Sequence, residues 1–220
     1  YPPLYDRSLS PGDWIAGYMA TYVERDVRQL INVRDLSIFQ RFLKMCAARS
    51  GQLLNLSSLA RDCGITHNTA SAWISVLEAS YIIHLLRPHY RNFNKRMVKA
   101  PKLYFCDVGL AAWLLGIRKA EDVAFHAQRA SLFETLIVTE FLKYCWNEGV
   151  PSNLFFWRDS KGLEVDLLIE RGDSLMPIEI KSGATIASDF MDNLKKWSTL
   201  AGNLEQPVWL IYGGDRQFVI

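Results

Sequence analysis
Residues 163–181 read LEVDLLIERGDSLMPIEIK. Within two strand-like runs, 163–170 and 175–181, polar and apolar residues alternate over 163–167 and 178–181. Side chains of a β-strand point to its two faces in turn, so a period of two predicts two strands. The intervening Arg-Gly-Asp-Ser supplies turn residues. A chain carrying this stretch must build a sheet. Glu164 and Asp166 then share one face, with Val165, Leu167 and Ile169 on the other. Glu179 and Lys181 likewise share a face, with Ile178 and Ile180 opposite. Adjacent strands lie about 4.8 Å apart, so the two polar pairs can meet across the sheet.

The flanking pattern extends this unit. Residues 128–148 carry Phe133, Leu136, Ile137, Val138, Phe141 and Leu142 at helical spacing. A strand over 155–158 precedes the turn Asp-Ser-Lys-Gly. A helix over 186–201, with Phe190, Leu194, Trp197 and Leu200 inward, leads to a strand at 208–212. The expected order is αβββαβ.

The amino-terminal half reads differently. Pro2, Pro3 and Pro11 predict an extended lead-in over 1–12. Helices are expected at 13–31 and 35–48. Residues 50–106 read as a winged helix-turn-helix. A short helix reaches Cys63-Gly64-Ile65, a tight turn, and a second helix runs from Thr66 or His67 to about Ser80 with Ala70, Trp73, Ile74 and Leu77 on its buried face. Strands at 82–86 and 103–105 enclose a long wing, 87–102. Residues 107–118 suggest a connector helix. The reading therefore divides the chain into a helical lead-in at 1–49, the winged module at 50–106, a connector at 107–127 and the αβββαβ module at 128–220, a mixed α and α/β class.

Half of the 220 residues are hydrophobic, 22% are charged and the net charge is +2. That is the composition of a globular chain, and any nucleic-acid partner must be met by local charge. No apolar run approaches the roughly 18 residues of a membrane span, so no membrane partner is expected. The start at Tyr1 rather than Met reads as a fragment, and YPPLYDRSLSPGDW has no signal-peptide pattern. Cys46, Cys63, Cys106 and Cys145 are scattered, and His67, His84, His89 and His126 lack zinc spacing. Buried reduced thiols in a cytoplasmic protein are the expectation. Five tryptophans (Trp73, Trp113, Trp146, Trp157 and Trp197) read as core. No GxxxxGK[ST] occurs, so ATP is not bound by these residues.

Two groups of residues carry candidate chemistry. Between Glu78 and Asp107 there is no acidic residue, and Arg87, Arg91, Lys95, Arg96, Lys99 and Lys102 fall there among His89, Tyr90 and Phe93. Such a wing suits a phosphate backbone, and six contacts would give a salt slope of about −5. The preceding helix offers His67, Asn68 and Thr69 to DNA base edges but no arginine, so weak, mostly sequence-independent binding is expected. A solvated loop or a protein-docking lid accounts for the same residues. The second group is Glu164, Asp166, Glu179 and Lys181. Gathered carboxylates repel one another unless a cation intervenes, and Mg²⁺ or Mn²⁺ takes oxygen ligands. A charged strand face left to solvent is the competing reading.

Asp166 followed by Glu179-Ile180-Lys181 resembles the PD-(D/E)XK nuclease signature. That resemblance implies a restriction-endonuclease-like fold, metal held by Asp166, Glu179 and the Ile180 carbonyl, a catalytic Lys181, and a further acidic residue at Glu134. The stretches FFWRDSKGLEVDLLIE, PIEIKSG and LKKWSTLAG resemble the carboxy-terminal domain of unknown function that follows a P-loop ATPase domain in many bacterial and archaeal proteins. YPPLYDR, YVERDVRQL and RMVKAPKLYFCDVGLAAWLLGI resemble the same proteins. The implied function is the DNA-binding, nuclease-like part of such an ATPase, with ATP bound only by a preceding domain. The alternatives are a non-catalytic module that binds DNA or protein and regulates the ATPase, and a homo-oligomerisation domain. The sequence departs from the nuclease pattern in having Glu164-Val165 where a proline is conventional, and no glutamine motif after Lys181.

Overall fold
The computed structural model describes Leu4, Asp6 and residues 9–27, 35–90, 97–202 and 207–217. The chain is mixed α/β, with helices and two sheets, and divides into two compact units. The first comprises Tyr1–Leu85 and Leu103–Gln128, the second Leu86–Lys102 and Arg129–Ile220.

In the first unit, helix α1 (Pro11–Tyr18) runs into a π-helical stretch, Met19–Val27. The extended lead-in expected through residue 12 is contradicted here, and also at Leu4 and Asp6, which are helical. Pro11 opens the helix, where its missing N–H costs nothing and its fixed φ suits the first turn. Helix α2 (Leu36–Ala47) starts at Asp35, whose carboxylate accepts the N–H groups of Ser37 at 2.8 Å and Ile38 at 3.3 Å. The Ser37 hydroxyl, which donates to the same carboxylate at 2.7 Å, together with these N–H groups holds the Asp35 carboxyl below its usual range.

Strand β1 (Gln52–Leu53) precedes helices α3 (Leu56–Cys63) and α4 (His67–Ala79). Gly64 joins the two helices at φ 70°, in the left-handed region that glycine enters without a Cβ penalty. Thr66 caps α4 by accepting the Thr69 N–H at 3.1 Å. Ala70, Trp73, Ile74 and Leu77 are its buried face, as the periodicity predicts. Trp73 meets Phe39 and Phe42 of α2 edge-on, at centroid distances of 5.4 and 5.1 Å. Strands β2 (Ile83–Leu86) and β3 (Lys102–Phe105) complete a sheet of order β1-β3-β2. Asp107 caps α5 (Val108–Leu114) through the Leu110 N–H at 2.7 Å, and a short α6 (Ala120–Val123) follows.

The second unit contains α7 (Arg129–Asn147), β4 (Leu154–Arg158), β5 (Glu164–Arg171), β6 (Ser174–Lys181), α8 (Asp192–Ala201) and β7 (Trp209–Tyr212). Sheet order is β4-β5-β6-β7, with β4, β5 and β6 successively antiparallel and β7 parallel to β6. Helix α8 begins six residues later than expected. Residues 188–191 form turns instead, in keeping with the preference of Ser188 and Asp189 for local backbone bonding over helix. Buried Asp159 shapes the first turn by accepting the Lys161 and Leu163 N–H groups at 2.8 and 3.0 Å.

The strict alternation expected along β5 breaks. Trp157 pairs with Val165 and Phe155 with Leu168, so β5 advances three residues while β4 advances two. This bulge brings Val165 and Leu168, not Val165 and Leu167, into one apolar cluster with Trp157, Leu175, Met191, Leu194 and Trp197. It falls at Asp166 and Leu167, beside the carboxylates described below.

The described parts of the expected wing, 87–90 and 97–102, are not free-standing. His89 N–H donates to the Phe156 carbonyl at 2.7 Å, and Val98 N–H to the Arg158 carbonyl at 3.1 Å. Both ends of the described segment thus lie along the otherwise open edge of β4.

Candidate functional site
The two polar pairs of the hairpin do meet. The β5–β6 ladder ends at Leu167 and Ile178, and one further step sets Asp166 beside Glu179. There Asp166 Oδ2 accepts the Ile180 N–H at 2.8 Å, taking over from the backbone ladder. Glu179 is 2% exposed and its Oε1 accepts a hydrogen bond from Lys181 Nζ. Its other oxygen, Oε2, is buried and accepts no hydrogen bond. Ile180 is buried between them in sequence, on β6.

Glu134 reaches the same place from α7. The residue that gathers it in is Lys102, whose side chain is 4% exposed. Lys102 Nζ lies 2.8 Å from Glu134 Oε1, 2.5 Å from Glu164 Oε1 and 3.9 Å from Asp166 Oδ1. It also sits 5.6 Å from the Phe156 ring centroid. Arg158 holds the second Glu164 oxygen at 2.9 Å. All of these residues belong to the second unit.

Burial dominates the electrostatics. It raises the Asp166 carboxyl from its ordinary 3.8 to about 7, helped by Glu134 and Glu179 and opposed by Lys102 and the Ile180 N–H. Burial also raises Glu179, against the hydrogen bond and charge of Lys181. For Lys181, burial works against the ammonium, but Glu179, Asp166 and Glu134 outweigh it and the net shift is upward.

A divalent cation implied by the nuclease resemblance finds suitable chemistry here. Glu179 Oε2 is a buried anionic oxygen with no donor, and Asp166 is adjacent. Hard oxygen donors are what Mg²⁺ and Mn²⁺ take. Among the described residues no three His, Cys, Asp or Glu side chains form a metal-binding group by themselves. Asp166 and Glu179 would need the Ile180 carbonyl, water or substrate to complete a coordination shell.

Lys102 is the residue that sequence reasoning misplaces. It reads as a wing cation, yet it is buried and already ion-paired, so it does not meet phosphate. The signal was its setting: Ala100-Pro101 before it and Leu103-Tyr104-Phe105 after it are apolar, unlike the rest of the segment. His89 is also not an exposed member of a basic loop. It is 8% exposed, lies 3.4 Å from Glu170 Oε1 and packs edge-on against Phe155.

Of the other candidates, His67 and Asn68 are exposed on the first turn of α4, while the Thr69 hydroxyl lies 2.8 Å from that of the capping Thr66. Arg87 and Lys99 are exposed on the second unit. Arg91, Lys95 and Arg96 lie outside the described residues. The four cysteines are free, and Cys46, Cys63 and Cys145 are buried. Trp73, Trp157 and Trp197 are core as expected, but Trp146 is 39% exposed at the end of α7 and is not. Among the described residues no helix is long and apolar enough to cross a membrane.

Residues 1–121 match the family model described as domain of unknown function DUF8612, and the chain belongs to that family. Residues 129–220 match a second, domain of unknown function DUF4143, which begins where the long segment of the second unit begins. Curated relatives include the uncharacterized protein Mb2031c of Mycobacterium bovis and the uncharacterized protein Rv2008c of Mycobacterium tuberculosis. Each is 28% identical over 172 residues, which cover 78% of this chain and 38% of the relative. The chain thus spans well under two thirds of the length of these relatives. No solved structure matches it.

Proposed function
We propose that the second unit is a restriction-endonuclease-like module that binds a divalent cation and acts on a phosphodiester, within the carboxy-terminal part of a longer P-loop ATPase. The observation that carries this reading is the buried, donor-less Glu179 Oε2 beside Asp166 at the end of the β5–β6 ladder. The order α7-β4-β5-β6-α8-β7, with β7 parallel to β6, supports the fold assignment. Asp166 and Glu179 would hold the ion, with the Ile180 carbonyl. A bound Mg²⁺ or Mn²⁺ would activate water and stabilise charge on the phosphate. Lys181, tethered by Glu179, would neutralise developing charge at the reacting phosphate. Glu134 stands on the α7 side of the cluster as a further acidic group.

The first unit, on this reading, is a winged helix-turn-helix that brings the module to DNA. In that unit His67 and Asn68 would face the groove. In the second unit Arg87, Lys99 and the loop residues Arg91, Lys95 and Arg96 would meet a phosphate backbone. With Lys102 spent on carboxylates, five cations remain and the salt slope is at most about −4.5.

One observation favours a second reading. Lys102 and Arg158 already neutralise Glu134 and Glu164 without any metal. A non-catalytic module that binds DNA or protein and regulates the ATPase would retain such pairs for stability. Incubating the protein with duplex and single-stranded DNA in Mg²⁺ or Mn²⁺ separates the two. Cleavage abolished by Asp166→Ala and by Lys181→Ala supports the nuclease. Cleavage indifferent to both substitutions, or no cleavage alongside DNA binding lost on neutralising Arg91, Lys95 and Arg96, supports the second reading.

A further inference from the structure
The carboxylate cluster already has a cation, and it comes from the chain itself. Resting on the reading of the cluster as a cation site, we propose that the Lys102 ammonium and a divalent ion are alternative occupants. Metal enters only as Lys102 withdraws.

The geometry makes joint occupancy unfavourable. Lys102 Nζ is 3.9 Å from Asp166 Oδ1 and in direct contact with Glu134 and Glu164. An Mg²⁺ ion coordinated by Asp166 Oδ1, at about 2.1 Å, would lie no more than about 6 Å from Nζ. A double and a single positive charge would then share one buried pocket with little water between them. Four carboxylates (Glu134, Glu164, Asp166 and Glu179) face three cations (Lys102, Arg158 and Lys181) across the cluster. A divalent ion added to all three would leave an excess of positive charge. Removing Lys102 instead leaves the charges balanced, with the ion in its place.

Lys102 is also the cation whose departure frees the most carboxylate, since it bridges Glu134 and Glu164 and approaches Asp166. Arg158 touches Glu164 and is more than a third exposed already. Lys181 is bound to the Glu179 oxygen next to the donor-less one. Lys102 opens β3, and its flexible four-carbon stem lets the ammonium move while the strand stays in place. The site is thereby shut to metal at low ion concentration. It opens when the ion is abundant or when a ligand draws Lys102 away.

Isothermal titration of Mn²⁺ into the wild-type chain and into Lys102→Met tests this. Binding at least tenfold tighter in Lys102→Met is expected. Equal or weaker binding overturns the competition while leaving the cation site intact. Absence of Mn²⁺ binding in both proteins overturns the cation site, and the competition with it. Because Lys102→Met removes a buried charge and can impair folding, the wild type provides a second measurement. Its Lys102 acetylation by acetic anhydride, followed by peptide mass spectrometry, should be slow without metal and rise several-fold with Mg²⁺, reversibly with EDTA. Labelling that is unchanged or slowed by Mg²⁺ overturns the proposal.

Discussion
The first turn of α4 and the carboxylate cluster of the second unit place their candidate residues in opposite surroundings. His67 and Asn68 stand in solvent on a helix whose stability comes from other residues: the Thr66 cap and the buried Trp73 face. Asp166, Glu179 and Lys102 are themselves part of the interior, and each is held by another charged or backbone group. A substitution at the first place can change binding and leave the fold alone. At the second, any change in chemistry is also a change in stability. Function and folding are therefore separable in one region and entangled in the other.

The largest expected effect that sharpens this contrast is at Lys102. Lys102→Met leaves Glu134 and Glu164 without their shared cation and should destabilise the chain by about 3 kcal/mol, as breaking a buried pair does. Urea unfolding followed by circular dichroism reads this directly, and a loss under 1 kcal/mol would place the ion pairs outside the energetics of the fold.

Next comes the pH dependence of Asp166. Its carboxyl is raised from 3.8 to about 7, so the folded chain holds the proton more tightly than the unfolded one. The associated stabilisation is present below about pH 4 and is lost as pH rises through 7. Asp166→Asn keeps an acceptor for the Ile180 N–H but cannot ionise. In metal-free buffer it should overtake the wild type across this window, by on the order of 2 kcal/mol at pH 8. A parallel pH profile for the two proteins would remove the burial account of Asp166.

The smaller effects belong to the other region. Thr66→Ala should cost about 1 kcal/mol through the lost cap of α4, measured by thermal unfolding. His67→Ala and Asn68→Ala should stay within about 0.5 kcal/mol of wild type. Under the winged-helix reading the same two substitutions weaken DNA binding in a filter or fluorescence assay. If they destabilise the chain as much as Thr66→Ala does, the contrast between the two regions fails.

Much of this was legible in the sequence, for reasons that also explain what was not. The alternation at 163–167 and 178–181 locates β5, β6 and the meeting of Asp166 with Glu179, because alternation follows from backbone geometry alone. Thr66, Gly64 and the Trp73 face locate α4 through equally local rules. The bulge at Asp166 and Leu167 was not legible. It depends on how β4 aligns with β5, and only the packing of Trp157, Val165 and Leu168 under α8 settles that. Lys102 was misread for the same reason. Local composition assigns a lysine to a basic loop, whereas its partners lie 32, 62 and 64 residues away at Glu134, Glu164 and Asp166. Pro11 shows a local rule applied too broadly: proline opposes a helix interior but not its first turn.

The central claim is that these carboxylates form a cation site. Its most direct test is calorimetric titration of Mn²⁺ into the wild-type chain and into Asp166→Ala, after confirming by circular dichroism that both are folded. One site per chain in the wild type, absent from Asp166→Ala, is the expected result. No binding by either the wild type or Lys102→Met, or equal binding by the wild type and Asp166→Ala, would contradict it.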